Sequence, residues 1–195
     1  MTAYPLITLA SRSPRRRQLL EMLGLPVRVV PADVPELPLP GEEPAAYARR
    51  LAREKVRAVP GELVLGADTI VVLDGDILEK PADPDDAVRM LRRLQGACHH
   101  VITSVALLTD GNLFEAQDRT AVWFRRATDD ELRAYVATGE PMDKAGSYGI
   151  QGPGATLVER IEGDFFGVMG LPIRLVLKLL AEAGRPYDFR VKVEG

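Results

Sequence analysis

The sequence predicts one α/β domain over residues 1–195, and three observations carry that prediction. An apolar, β-rich run from Leu6 to Ala10 passes directly into a helix start at Ser13-Pro14. A second run, "LVLGADTIVVL" from Leu63 to Leu73, is apolar at alternate and intervening positions alike, the pattern of a strand covered on both faces. Around these runs apolar residues recur at helical spacing, so strands and amphipathic helices alternate along the chain.

The first helix has Ser13 as N-cap, Pro14 at its first position and a stripe at Leu19, Leu20 and Leu23. Arg15, Arg16 and Arg17 fill its first turn, where the helix dipole disfavours each cation by about 0.3 to 1 kcal/mol. "VRVVPADVPELPLPGEEP" supplies a short strand and a proline-rich connection. A second helix from Pro44 to Val59 carries Ala48, Leu51, Ala52, Val56 and Val59 on one face, with Lys55 in the middle of that stripe. "DGD" at 74–76 marks a hairpin turn, and a third helix starts near Pro84 with acidic residues in its first turn and Gly96 after its end. "HHVITSVALLT" and "LFEAQDRTAVWFR" read as two strands joined at Asp110-Gly111. Thr128 and Glu131 form a capping box for a helix through Leu132, Tyr135 and Val136 that stops near Gly139. Residues 139–172 hold eight glycines, which suits either a long functional loop or short strands with bulges beside a ligand. A last amphipathic helix covers about Leu171 to Ala183.

With 46% hydrophobic and 27% charged residues, the 195-residue chain has the composition of a globular protein that folds without staples. Its net charge of −3 argues against a nucleic-acid coat protein, so an anion site must be local and built against the overall sign. Cys98 is the only cysteine, which fits a reducing cytoplasm. The opening residues lack a basic leader region, and the apolar run "GVMGLPIRLVLKLL" is broken by Pro172, Arg174 and Lys178, so neither a signal peptide nor a membrane span is expected.

Four charges break local rules, and a charge on an apolar face is informative because its desolvation costs several kcal/mol unless it is paired or bound to a metal. Asp68 interrupts the apolar run with no ionisable neighbour from Val64 to Leu73, and requires a distant partner or an opening at a bend near Gly66. Lys55 lies on a core stripe, where a lysine can also snorkel to solvent. Arg16 is in register with Leu19, Leu20 and Leu23 and points along the buried side at the helix's open end. Lys80 sits at a strand-to-helix junction, the place where α/β proteins carry binding residues and also a place for surface lysines. His99 and His100 have no second ligand at metal spacing, and the glycine-rich stretch has neither a Walker nor a dinucleotide pattern. One carboxylate, several cations and a capped helix N-terminus converge on a polyanion able to carry a divalent metal. A phosphate bound at that N-terminus would turn the first-turn arginines from a cost into a gain.

"LASRSPRRRQLLEMLGL" resembles the opening signature of the Maf family of nucleotide pyrophosphatases. "LAREKVRAV", "GADTIVVLDGDILEKPADPDDAVRML" and "DKAGSYGIQGPGATLVERIEGDFFGVMGLP" follow in the family's order, so the likeness runs from Leu6 to about Leu180. The resemblance implies a mixed, curved α/β sheet flanked by helices, with two lobes around a deep cleft, related to the inosine-triphosphate pyrophosphatases. It implies hydrolysis between the α and β phosphates with a divalent cation, Mg2+ or Mn2+, a homodimer, and a role in cleansing the nucleotide pool. "DKAGSYGIQG" is similar to the branch acting on dTTP and UTP, since the 7-methyl-GTP branch ends that loop in Glu-Gly where Gln151-Gly152 stands here.

Carried over, Asp68 is the proton acceptor, and Arg15, Thr69 and Gln151 are the positions tied to substrate choice. A metal would be held by Glu36 and Asp68; Arg15, Arg16, Lys55 and Lys80 would neutralise the leaving pyrophosphate, and Ser11 and Ser13 would place phosphate oxygens. The Gln151 amide, with acceptor and donors together, suits the N3–H and a carbonyl of uracil or thymine and meets cytosine less well. Tyr148 is open to two readings, a platform for the base or a core residue. Two departures stand out: Asp33-Val34-Pro35-Glu36 lacks an acid at position 35, and "QGACHH" replaces a more polar stretch, a change expected to touch the surface more than the chemistry. The family's older association with septum formation leaves a non-catalytic, nucleotide-binding regulator of cell division as the competing class. A nucleic-acid binder, which would show steep salt dependence, is opposed by the net charge.

Overall fold

The computed structural model describes residues 4–189; the expected ends of the domain, 1–3 and 190–195, lie outside them. Seven strands form one mixed sheet: β1 (Ile7–Leu9), β2 (Val27–Val29), β3 (Leu63–Leu73), β4 (Asp76–Leu78), β5 (Cys98–Thr109), β6 (Asn112–Phe124) and β7 (Val158–Glu162). Their order is β2-β1-β3-β5-β6-β7, with β4 paired to β3. The helices are α1 (Pro14–Met22), α2 (Pro44–Arg57), α3 (Pro84–Leu94), α4 (Asp129–Ala137), the short α5 (Phe165–Met169) and α6 (Ile173–Glu182). Among the described residues no helix is long and apolar enough to cross a membrane.

The chain packs as two compact units. The first holds the described residues of Met1–Asp68, Thr103–Asp118 and Gly170–Gly195; the second holds Thr69–Ile102 and Arg119–Met169. Three of the four boundaries fall inside β3, β5 and β6, and the fourth falls at the end of α5.

In the first unit β1 is parallel to β2 on one side and to β3 on the other, with Leu9 opposite Val29 and Leu65. The chain leaves β1 through α1 to β2 and returns through α2 to β3. That order makes the C-terminal end of β1 a topological switch point, where open α/β sheets bind ligands. Packed beside it are Ala10, Ala52, Val56, Val59, Val64 and Ala106, all at most 6% exposed. Of the two expectations for Asp68, a distant partner is found in Lys55, and Gly66 lies within the continuous strand β3 rather than at a bend. Its missing side chain serves close packing instead: a Cβ there would meet Val56 Cγ1 at 2.7 Å and Ala52 O at 3.0 Å.

In the second unit β4 folds back on β3 across Asp74-Gly75, both at positive φ, as the hairpin signal requires. Asp83 caps α3, and the Thr128–Glu131 capping box opens α4. An Arg92–Asp129 ion pair joins α3 to the start of α4. The glycine-rich stretch resolves into three 3-10 turns, Glu140–Asp143, Ala145–Ser147 and Pro153–Leu157, followed by β7, whose pairing with β6 is irregular at Trp123/Phe124. Tyr148 is a core residue, 5% exposed, in edge contact with His99 and Phe124. His99 is likewise buried, so the "QGACHH" departure reaches the core and is not confined to the surface.

Candidate active site

The switch point of the first unit collects most of the charges that break the sequence rules. Ser13 caps α1, its Oγ accepting the Arg16 backbone N–H at 3.5 Å. Ser11 Oγ accepts from Ser13 N at 3.2 Å and from Arg16 Nη1 at 3.0 Å. Both lone pairs of that hydroxyl are thus engaged, which leaves its proton to donate. Arg16 also donates from Nη1 to Ala67 O at 2.9 Å and from Nε to Gly170 O at 2.8 Å. Two of its five N–H donors therefore hold backbone carbonyls on either side of the site, including the one immediately before Asp68, and a third holds the Ser11 hydroxyl. Burial lowers the Arg16 pKa, and the nearby Asp68 charge opposes that shift. Arg15 is half-buried beside it, and Arg17 pairs outward with Glu21 at 2.6 Å.

Lys55 and Asp68 are 7% and 6% exposed and meet directly, with Nζ 2.7 Å from Oδ1. The close approach allowed by Gly66 brings α2 near enough for this contact. Glu36 Oε1 lies 2.6 Å from the same ammonium, so two carboxylates converge on one cation. Asp68 Oδ2 is buried and has no hydrogen-bond partner among the described residues. A buried polar atom left unpaired costs roughly 1 to 3 kcal/mol, more for a charged group, and marks a place where chemistry or an ion is expected.

That donor set fits a hard divalent cation. Mg2+ is held by one or two carboxylates together with phosphate oxygens and waters, and Asp68 and Glu36 offer such a pair. No cluster of three or more His, Cys, Asp or Glu side chains suited to a metal occurs among the described residues. The remaining ligands would therefore come from substrate and solvent.

The second unit carries Thr69, half-buried in β3, and Lys80 and Gln151, both exposed. Gly146 N donates to Glu79 O at 3.2 Å, which ties the segment bearing Lys80 to the start of the loop bearing Gln151. Around that loop stand residues the sequence reading passed over. Gly149 N donates to Tyr135 Oη at 3.1 Å, Gly154 N to Glu140 Oε2 at 2.9 Å, and Lys144 Nζ to Glu140 O at 2.6 Å. The one available signal was the glycine spacing at 149, 152 and 154, which calls for close neighbours without saying which.

The sequence matches the family described as Maf-like protein over residues 6–183. A dTTP/UTP pyrophosphatase of Anaeromyxobacter dehalogenans is 51% identical over 186 residues, 93% of this chain and 96% of that one. Proteins of the same description from Chromobacterium violaceum and Aquifex aeolicus are 49% and 47% identical, covering 91% and 90% of this chain and 94% of each of theirs. A match over nearly all the described residues, with relatives near half identity over nine-tenths or more of each chain, places the chain in the Maf family.

Proposed function

We propose that this chain hydrolyses dTTP and UTP to the nucleoside monophosphate and pyrophosphate, acting in the cytoplasm as a homodimer. The observation that carries the reading is the buried Asp68 carboxylate, with one oxygen held by Lys55 and the other without a donor among the described residues. The relatives' names supply the substrate class.

Water attacks the α-phosphorus, its proton passes to Asp68 Oδ2, and the bond from that phosphorus to the bridging oxygen breaks as pyrophosphate leaves. Lys55 fixes the carboxylate through Oδ1, and Arg16 fixes the backbone that carries it. Ser11, restricted to donating, and Ser13 orient phosphate oxygens at the start of α1. Arg15 and Lys80 offset the charge that grows on the leaving group. Glu36 and Asp68 would hold a divalent cation, which when bound acidifies water and screens phosphate charge. Thr69 and Gln151 select the base, the Gln151 amide matching the donor and acceptor edge of uracil and thymine.

The test is product analysis with dTTP, UTP, CTP, dATP and GTP in Mg2+ or Mn2+, for the wild type and Asp68→Asn. Monophosphate and pyrophosphate from dTTP and UTP, lost in Asp68→Asn, are expected. A wild type that binds nucleotide and turns over none of the five would overturn the enzyme reading and favour a regulator.

A further inference from the structure

We infer that Glu140, acting with Tyr135, is a positioning residue that sets how Gln151 is presented and thereby sharpens base choice. The inference rests on the reading of Gln151 given above.

Gln151 lies on a six-residue stretch, Gly149 to Gly154, that belongs to no strand or α-helix. A loop places a side chain less accurately than a strand or helix does unless hydrogen bonds hold it from behind. Here both ends are held. Gly149 N donates to Tyr135 Oη, and five residues later Gly154 N donates to Glu140 Oε2.

The backbone comes so close to these groups that an added side chain would push them out of place. A Cβ at Gly152, next to Gln151, would overlap the Glu140 carboxylate; one at Gly154 would overlap the Tyr135 hydroxyl and stand 2.7 Å from the Gly149 carbonyl. The Glu140 backbone is itself held: its N–H donates to Thr138 Oγ1 at 3.2 Å and its carbonyl accepts from Lys144 Nζ. The Lys144 stem runs against Gly149, 2.8 Å from where a Cβ would stand. Burial first, and the Glu140 carboxylate second, push the Tyr135 hydroxyl well above its ordinary range, so it stays protonated beside that carboxylate. The half-buried carboxylate thus acts as a peg on which the Gln151 segment hangs, and the exposed amide inherits its position from it.

The test measures kcat and KM separately for UTP and CTP in the wild type, Glu140→Ala, Glu140→Gln and Tyr135→Phe, with amide hydrogen exchange at Gly149 and Gly154. Glu140→Ala is expected to lower the UTP-over-CTP ratio of kcat/KM by about tenfold or more, chiefly through the KM for UTP. Glu140→Gln keeps an oxygen for Gly154 N–H and should recover most of the preference. Tyr135→Phe, which preserves the ring, should shift the ratio in the same direction and expose Gly149 to exchange. A fall in rate shared equally by both nucleotides, with the ratio unchanged, would overturn the inference. If the wild type hydrolyses no nucleotide, the functional reading fails separately and exchange decides the clamp. Faster exchange confined to the Gly149–Gly154 stretch in Glu140→Ala upholds it, and unchanged protection overturns it.

Discussion

Lys55 Nζ stands 2.7 Å from Asp68 Oδ1, while the other oxygen of the same carboxylate is buried with no donor among the described residues. A buried ion pair gains little net stability, because the desolvation of both charges offsets their attraction. Its value here lies in the asymmetry. One carboxylate oxygen is fixed, the other is poised, and Glu36 at 2.6 Å from the same ammonium keeps Lys55 paired whatever Asp68 does.

Asp68→Asn separates chemistry from stability. The amide retains an oxygen for Lys55 and the shape of the side chain, and Lys55 still has Glu36. Turnover of dTTP should fall by about 10²- to 10⁴-fold, the range for losing a positioned general base. The midpoint of urea unfolding should move little. Near-wild-type turnover would remove Asp68 from the chemistry.

Lys55→Met should behave differently, because it strands a buried carboxylate. The methionine fills the space of the lysine stem, so the loss is chiefly electrostatic. Breaking a buried pair by removing one partner costs about 3 to 5 kcal/mol. Glu36→Gln, on a side chain 41% exposed, should cost no more than about 1 kcal/mol. Urea unfolding of both variants checks the contrast, and equal effects would contradict it.

Gly66→Ala tests the packing that brings α2 to β3. The added methyl would stand 2.7 Å from Val56 Cγ1 and 3.0 Å from the Ala52 carbonyl, and the carbonyl is backbone that cannot rotate away. Overpacking of this kind costs about 1 to 3 kcal/mol. Because Lys55 adjoins the strained turn, turnover should fall along with stability. A Gly66→Ala enzyme of wild-type stability would show that α2 can withdraw freely.

How much of this was legible follows from the kind of signal each residue leaves. Lys55 and Asp68 are charges that interrupt apolar periods, so the sequence marks both, and Gly66 is visible as a glycine in a strand. What Gly66 admits is invisible, since a missing side chain does not name its neighbour. Arg16 was readable as facing inward, but its acceptor Gly170 O is 154 residues away and no local pattern points to it. The same applies to Glu140, which reads as an ordinary acid after a helix until the fold sets it under Gly154. Helix starts were readable because Ser13 and Thr128 cap with their own side chains and Pro84, ahead of two acids, opens α3. Thr69 and Gln151 gain their roles from family resemblance, and nothing in their periodicity distinguishes them, whereas Lys80 is marked by its place at a strand-to-helix junction. His99 was missed for a related reason: a histidine at a strand start carries no mark of burial.

That buried histidine gives the pH prediction. His99 is 1% exposed, with Nε2 2.9 Å from Tyr148 Oη and its ring edge-on to Phe124. Burial, with a smaller push from His100, lowers its pKa from 6.5 to about 4. The folded state therefore resists the proton while the unfolded chain accepts it near pH 6.5. Stability rises with pH wherever the unfolded state binds more protons, so this group's contribution is intact above pH 6.5 and drains away toward pH 4. The full loss amounts to about 3 kcal/mol at most. Urea unfolding of the wild type and His99→Phe from pH 7 to pH 4 isolates it, because the carboxylates and His100 contribute similarly to both proteins. The wild type should lose stability relative to His99→Phe as the pH falls, and parallel curves would mean that His99 takes up its proton in the folded state as readily as in the unfolded one.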